Sequence, residues 1–560
     1  MKKATAEELE YVRIAESLQA APFPQEWRRY VRHVMPELLG AADLSSFGDD
    51  GFPQRICERA AVNVLKLVSA YSLMVTPRGV NWFSFETSKR AEDVSDDEKD
   101  WYQVTTQTTQ DELESSNFHT EFLKALIDMV ACGNGCMLAE ADDRTRGLLC
   151  THVPYGTFRM AKNRYNEPDT LLREFRFTAH QAAQCFGEDA LDSTMRDALR
   201  KEDTRFKKEF KILHLVTPRT TATRGNGKGL KDPKLMTFAS VYIAAESKQV
   251  LKIGGYEEFP YLLMRFISVG NSVYGHSALA PVVNTIEDYL EVEEALKEGA
   301  KVAVYPRLIA TPDMAGEIDL RAGGVTIISQ ESKGSGYPKE WASAVRYQDG
   351  LLQLERYDRQ LDDALFVNQL QSVSTVDRPM SATEARIREN EKLMTFSQTF
   401  TQLAADMRSF MARVFCILWR QDKFSEHGKP DDLFVPVGPN GEGEKVLAPG
   451  VKYLGKMSKA LESAKQNGLI ESLTFAMQMY ASTQDPAWLD YFKPYECTKF
   501  ITDESNVDVD CVRSTSEAKE QREKREKLAL AQLQMQLAAQ SAAAGAQLSK
   551  SEEAAKNYDH

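Results

Sequence analysis

The segment Arg224-Gly225-Asn226-Gly227-Lys228-Gly229 combines glycines with a lysine, the residue types that cradle nucleotide phosphates. A phosphate loop needs G-x-x-x-x-G-K followed by Ser or Thr, so that backbone amides wrap the phosphates and the hydroxyl reaches magnesium. Here the spacing departs from that pattern and no hydroxyl follows Lys228, so the segment reads as a surface loop. Cys132 and Cys136 lie four residues apart, which alone is weak support for a metal. No His or second Cys pair stands near them in sequence, and core cysteines at a helix end are the expectation. The chain has no H-E-x-x-H pattern and no G-x-S-x-G elbow. Acid pairs such as Asp362-Asp363 read as the solvated face of a charged helix. Trp27, Arg28, Arg29, Tyr30 and Arg32 mix aromatics with cations, as nucleic-acid surfaces do. Their helical spacing favours an amphipathic helix with an apolar and a basic face. The residues therefore predict no enzyme, no metal and no cofactor.

Composition narrows the class further. With 560 residues and 42% hydrophobic content, the chain can bury several cores, and its length suggests three or four domains. Its formal net charge is −13. A protein that grips DNA by neutralising phosphates carries a basic excess. This chain either ignores nucleic acid or handles it without holding tightly. Eight cysteines (Cys57, Cys132, Cys136, Cys150, Cys185, Cys416, Cys497 and Cys511) are too sparse for a disulfide scaffold, which suits a reducing compartment. No signal peptide and no membrane span are predicted, since no apolar run reaches about 18 residues.

Periodicity supplies the elements that would position these residues. Apolar residues recur at helical spacing over 24–39, 57–70 and 118–130, the last ending at Cys132-Gly133-Asn134-Gly135. Strands are expected over 147–153, 173–177 and 210–217, with two more in 238–253 joined by a turn at 246–248. Residues 220–234 read as a Gly- and Lys-rich loop, and 1–280 as an α+β unit. A helix is expected over Leu279–Ala300, a small β-rich insert over 301–349, and a second helix over 351–371. Ser381 and Glu384 form a capping-box pattern that opens a helix running to about Arg420, long enough to kink. Residues 436–450 read as a Gly/Pro linker, followed by helices over 457–467 and 469–482 and a helix-prone Ala/Gln-rich tail over 516–544.

In the helix Leu279–Ala300, Glu287, Asp288, Glu291, Glu293, Glu294 and Glu298 oppose one cation, Lys297. Val282, Val283, Ile286, Leu290 and Leu296 can supply its packed face. Helices with two dissimilar faces, carrying an insert too small to fold alone, need neighbours to complete their burial, which predicts a closed cyclic homo-oligomer.

Several segments together resemble the head-to-tail connector, or portal, family of short-tailed phages (podoviruses). They are Gln25-Glu26-Trp27-Arg28-Arg29-Tyr30 leading to Met35-Pro36-Glu37-Leu38-Leu39; Asn81-Trp82-Phe83-Ser84-Phe85; Phe122-Leu123-Lys124-Ala125-Leu126 continuing to Cys132-Gly133-Asn134-Gly135; Val273-Tyr274-Gly275-His276-Ser277-Ala278-Leu279; and Met380-Ser381-Ala382-Thr383-Glu384-Ala385. The Y-G-x-S turn is similar to the one that starts the family's channel helices, although His276 stands where Arg is common. Their order over about 500 residues carries the resemblance.

The resemblance implies an α+β, multidomain subunit of a ring. Its parts would be a wing (1–280), stem helices (281–300 and 351–371), a clip (301–350), a tunnel loop (372–380), a tunnel and wing helix (381–422), wing and crown (423–512), and a crown helix with a flexible tail (513–560). The tunnel loop, with Gln371, Ser372, Val373, Ser374, Thr375, Val376, Asp377 and Arg378, is expected to line the narrowest part of a DNA passage. Glu287, Glu291, Glu294 and Glu298 of the stem are expected to line its wall and repel phosphate.

The implied partners are other copies of the chain, usually twelve, double-stranded DNA, the terminase motor, major capsid and scaffolding proteins, and tail adaptor or nozzle proteins. No membrane partner is implied. The implied place is a capsid vertex in the virion, with assembly in the host cytoplasm, and the roles are genome packaging, retention, ejection and head–tail joining. The rival readings are a DNA-packaging enzyme and a cytoplasmic oligomeric scaffold. A scaffold acting through a C-terminal coiled coil would need sustained heptads, which Leu528, Leu530, Leu533, Met535 and Leu537 do not keep.

Overall fold

The computed structural model describes residues 5–39, 55–87, 89, 94–142, 144–220, 236–270, 272–304, 308–309, 339–340, 347–367, 397–425, 427–437, 443–454, 456–483, 492, 497, 521–525, 527–532, 534–538 and 541. They fall in two compact units, 1–460 and 461–560.

The first unit opens with α1 (Ala6–Ala20), which Thr5 and Glu8 close with a capping box. Helix α2 (Trp27–Arg32) and α3 (Glu58–Val75) follow. After β1 (Phe83–Glu86) come α4 (Asp96–Ser115), capped by Ser95, and α5 (Phe118–Cys132). Gly133 ends α5 in a left-handed conformation at φ 100°, which glycine adopts without a Cβ penalty.

Strands β2 (Asn134–Asp142), β3 (Gly147–His152), β4 (Phe158–Lys162) and β5 (Pro168–Thr178) lead to two short helices, α6 (Ala179–Phe186) and α7 (Ser193–Arg200), and a single helical turn at Glu202–Arg205. Then come β6 (Glu209–Pro218), β7 (Phe238–Ala244), β8 (Val250–Tyr256) and β9 (Tyr261–Arg265). Strands β4 to β8 form an antiparallel five-stranded sheet in chain order, while β2 lies between β3 and β9 in a second sheet.

Alternation along β6 divides the first sheet's work. Leu213 and Leu215 meet Tyr11, Ala15 and Leu18 of α1. Phe210 and Ile212 meet Ala179, Ala182, Met195 and Ala198 of α6 and α7. The main core gathers α2, α3, α5 and β2 around Trp27, Trp82, Phe118, Phe122 and Phe410.

A 3-10 turn at Ala280–Val282 starts α8 (Val283–Val304). Strands β10 (Leu308–Ile309) and β11 (Lys339–Glu340) pair antiparallel, and α9 (Tyr347–Ala364) packs on α8. Helix α10 (Ser397–Arg420) buries Leu403, Met407, Phe410, Met411, Val414 and Phe415 in the main core. Strands β12 (Phe434–Val437), β13 (Gly443–Val446) and β14 (Gly450–Tyr453) and helix α11 (Lys456–Thr483) complete the described order. The described residues between 521 and 541 are helical.

Several expectations change. Residues 436–450 are not a bare linker: β12 pairs with β13, with Pro436 opposite Glu444, and β14 pairs with β1. Proline is tolerated there because both are edge strands. Residues 457–467 and 469–482 form one helix, since Gly468 costs only about 1 kcal/mol relative to alanine in a helix interior. The helix expected over 24–39 stops at Arg32 as α2. Helices α1, α4, α6 and α7 and strands β2, β4 and β9 add to the elements expected from the sequence.

Candidate functional site

Two motifs distant in sequence meet at one joint. Gly133 and Gly275 approach so closely that a Cβ on Gly133 would lie 2.5 Å from the Gly275 carbonyl oxygen, and one on Gly275 would lie 2.6 Å from that of Gly133. Asn134 Oδ1 accepts from the Gly275 amide at 2.8 Å. Ser277 Oγ donates to the Ala131 carbonyl at 2.7 Å and accepts from the Leu279 amide at 2.9 Å. The Ala278 amide reaches the Val130 carbonyl, and that of Phe266 the Gly133 carbonyl. Orphan carbonyls at the end of α5 are thus satisfied by the turn that starts α8. Tyr274 packs edge-on against Phe23, and its hydroxyl accepts from the Met160 amide at 3.3 Å. The joint fixes the direction in which α8 leaves the α+β unit.

A second clamp fixes α10. Arg265, at the end of β9, donates to Asp406 Oδ1 at 2.8 Å, and Gln402 donates to the same carboxylate. Burial raises the Asp406 pKa more than these partners lower it. Glu258 lies between Arg413 and Arg420. Burial pushes its carboxyl upward, yet the two arginines outweigh that and hold it below the usual range.

The hairpin of α8 and α9 is also tied down. Val282, Val283, Ile286, Leu290 and Leu296 are buried, as periodicity predicted. Asp362 overturns one expectation: it is buried at 8% exposure, takes both Arg59 and Asn63 of α3, and does not lie on a solvated face. Arg59 supplies the counter-charge that permits this. Trp27 and Val31 are buried while Arg29 pairs outward, so α2 has the apolar and basic faces expected of it.

Of the four stem acids, Glu287 is bound by Arg29 through two guanidinium nitrogens, with Asn284 accepting from the same residue. That hydrogen bonding holds the Glu287 carboxyl low. Glu294 pairs with Arg55. Glu291 and Glu298 are exposed and make no ion pair among the described residues. The acids thus share one helix stripe, but half of them are countered within the chain. Sequence reasoning missed Arg55; its sole signal was a cation just before α3.

Gln371, Ser372, Val373, Ser374, Thr375, Val376, Asp377 and Arg378 lie outside the described residues, as do Arg224 to Gly229. Cys132 and Cys136 are buried, and burial raises both thiols well above their ordinary value, which disfavours the thiolate that a metal or an electrophile would need.

A family model for bacteriophage head to tail connecting protein matches residues 9–512. The chain belongs to that family. The match takes in both halves of the glycine joint, the helical hairpin and α10. A portal protein of Salmonella phage epsilon15 is 24% identical over 368 residues, 64% of each chain. A probable portal protein of Bordetella phage BPP-1 is 22% identical over 246 residues, 43% of each. The chain therefore spans less than two thirds of the length of these relatives in the matched stretches. Mixed α and β architecture agrees with the fold class expected of a connector subunit. No helix among the described residues is long and apolar enough to cross a membrane.

Proposed function

We propose that this connector-family chain is a portal subunit: a ring of copies forms the DNA passage at one vertex of the phage head. The observation that carries the reading is the antiparallel hairpin α8–α9, rooted by the glycine joint on a large α+β unit, within a family match spanning 9–512. On this reading 1–280 is the wing, 281–300 and 351–371 the stem, 301–350 the clip, 372–380 the tunnel loop, 381–422 the tunnel and wing helix, 423–512 wing and crown, and 513–560 a crown helix and tail. The ring, with the twelve copies usual in the family, joins capsid and tail, receives DNA from the terminase motor, and does no catalysis itself.

The net charge of −13 supports a conduit over a clamp, because each phosphate-bound Lys or Arg adds grip that a moving duplex must break. The repelling role in the wall falls to Glu298, whose carboxylate the described chain leaves bare. Electron microscopy of the purified protein tests the reading: closed rings with a central hole are expected. Monomers alone, across protein and salt concentrations, would overturn it.

Residues 371–378 are proposed to line the narrowest part of the passage. Ser372-Val373-Ser374-Thr375 lacks helix-forming bias and precedes Pro379 in sequence, the composition of a loop that could meet DNA. Deleting Ser372 to Thr375 is expected to leave ring mass unchanged while packaged DNA is lost from heads. A deletion variant that retains DNA like wild type contradicts the assignment.

A further inference from the structure

The outward faces of α8 and α9 carry opposite charge. On α8, Asp288, Glu291 and Ala295 share one exposed stripe, and neither carboxylate has an ion pair among the described residues. On α9, Leu352, Arg356 and Arg359 recur at i, i+4 and i+7 on a single exposed stripe, the spacing of side chains that stack along one helix face. Leu352 is 63% exposed. Among the described residues Arg359 pairs with Glu355 on the same helix at 3.7 Å, and both are mostly in solvent, so that pair holds it weakly. An adjacent side of α9 is already occupied, because Asp358 and Asp362 face Arg59 of α3.

The hairpin also fixes the heights of these residues. Gly350 abuts Leu296, and the charge of Asp358 reaches Tyr289. In that antiparallel register Arg359 stands level with Asp288, Arg356 with Glu291, and Leu352 with Ala295. For a hairpin that runs along the ring axis, rotation about that axis preserves height, so a neighbour presents each of these residues at the level of its complement. Within one chain the two stripes point outward and do not meet.

We infer that the α8 stripe of one subunit seats against the α9 stripe of the next, with Asp288 and Glu291 meeting Arg359 and Arg356 of the partner subunit and Leu352 covering Ala295. The inference rests on the ring reading above and names the surface that closes the ring. It also moves Glu291 from the passage wall, where the sequence had placed it, to the subunit boundary. The contact is head-to-tail, the type of interface that a closed ring requires.

The test is charge exchange followed by native mass spectrometry and mass photometry at low salt. Asp288→Arg with Glu291→Arg, and separately Arg356→Glu with Arg359→Glu, are expected to abolish rings or to raise the concentration for half-assembly by roughly 100-fold, since each places like charges across every boundary. All four residues are exposed, so both variants should stay folded, with the wild-type circular dichroism spectrum, even where assembly is lost. Mixing the two variants should restore closed rings containing both, because each then meets its complement on either side. If both variants assemble alone as wild type does, or if the folded mixture stays unassembled, the interface is wrong although the ring stands. A wild-type protein that forms no ring overturns the ring reading and this interface with it.

Discussion

Gly135→Ala is expected to destabilise the folded chain by about 3 kcal/mol or more, at the upper end of what overpacking costs. The added Cβ would lie 2.1 Å from the carbonyl oxygen of Ala125 and 2.9 Å from its carbon. These are backbone atoms in the middle of α5, so no rotamer change relieves the clash. Either α5 or the start of β2 must move, and both belong to the joint that directs α8. Urea unfolding gives the measurement, with Gly254→Ala as its control. Gly254 also lies in a strand, but its added Cβ would meet nothing nearer than 3.8 Å. The control should stay within about 0.5 kcal/mol of wild type. Equal midpoints for the two variants would remove the joint from the account of what holds the stem.

Arg265→Met should cost about 3 to 5 kcal/mol, the range for removing one partner of a buried ion pair. Arg265 and Asp406 have side-chain exposures of 12% and 7%, so the carboxylate left behind cannot turn to water. The pH dependence has a definite sign. Burial already raises the folded pKa of Asp406 above that of the unfolded chain. The folded state therefore binds this proton more tightly, and the associated stability is complete below the unfolded value of about 3.9 and lost as pH rises through the folded value. Without Arg265 that loss deepens, so the deficit should be smaller at mildly acid than at alkaline pH. The double variant Arg265→Met, Asp406→Leu should recover most of the stability and flatten the difference. A single variant whose deficit ignores pH would show that the pair is not the source.

How much of this was legible depended on how local the cause was. The end of α5 could be read because Gly133 acts on its own backbone, and the strands of 238–256 because their turn lies within a few residues. The packed face of α8 followed from period alone. By contrast, Asp362 looked solvent-facing because its counter-charge, Arg59, lies about three hundred residues earlier. Glu287 and Glu294 looked like bare wall charges for the same reason, with Arg29 and Arg55 distant in sequence. Helix α4 was missed because Asp96 to Ser115 is polar through most of its length, which hides its packed stripe of Trp101, Tyr102, Thr105 and Thr109. Strand β2 was missed because it is buried on both faces for six residues and so has no alternation to detect.

The pairing of β1 with β14 joins Phe83–Glu86 to residues 450–453. On the ribosome, β1 emerges long before its partner. At about 5 to 20 residues per second, synthesis of the intervening chain takes roughly 20 to 70 s. For that interval Trp82, Phe83 and Phe85, all buried in the finished subunit, lack the strand that completes their surroundings. The nascent chain thus carries an open sticky edge until just over four fifths of it has been made. Chains on one messenger would be tempted to pair prematurely during this time, and chaperone demand should fall sharply once residue 453 clears the exit tunnel.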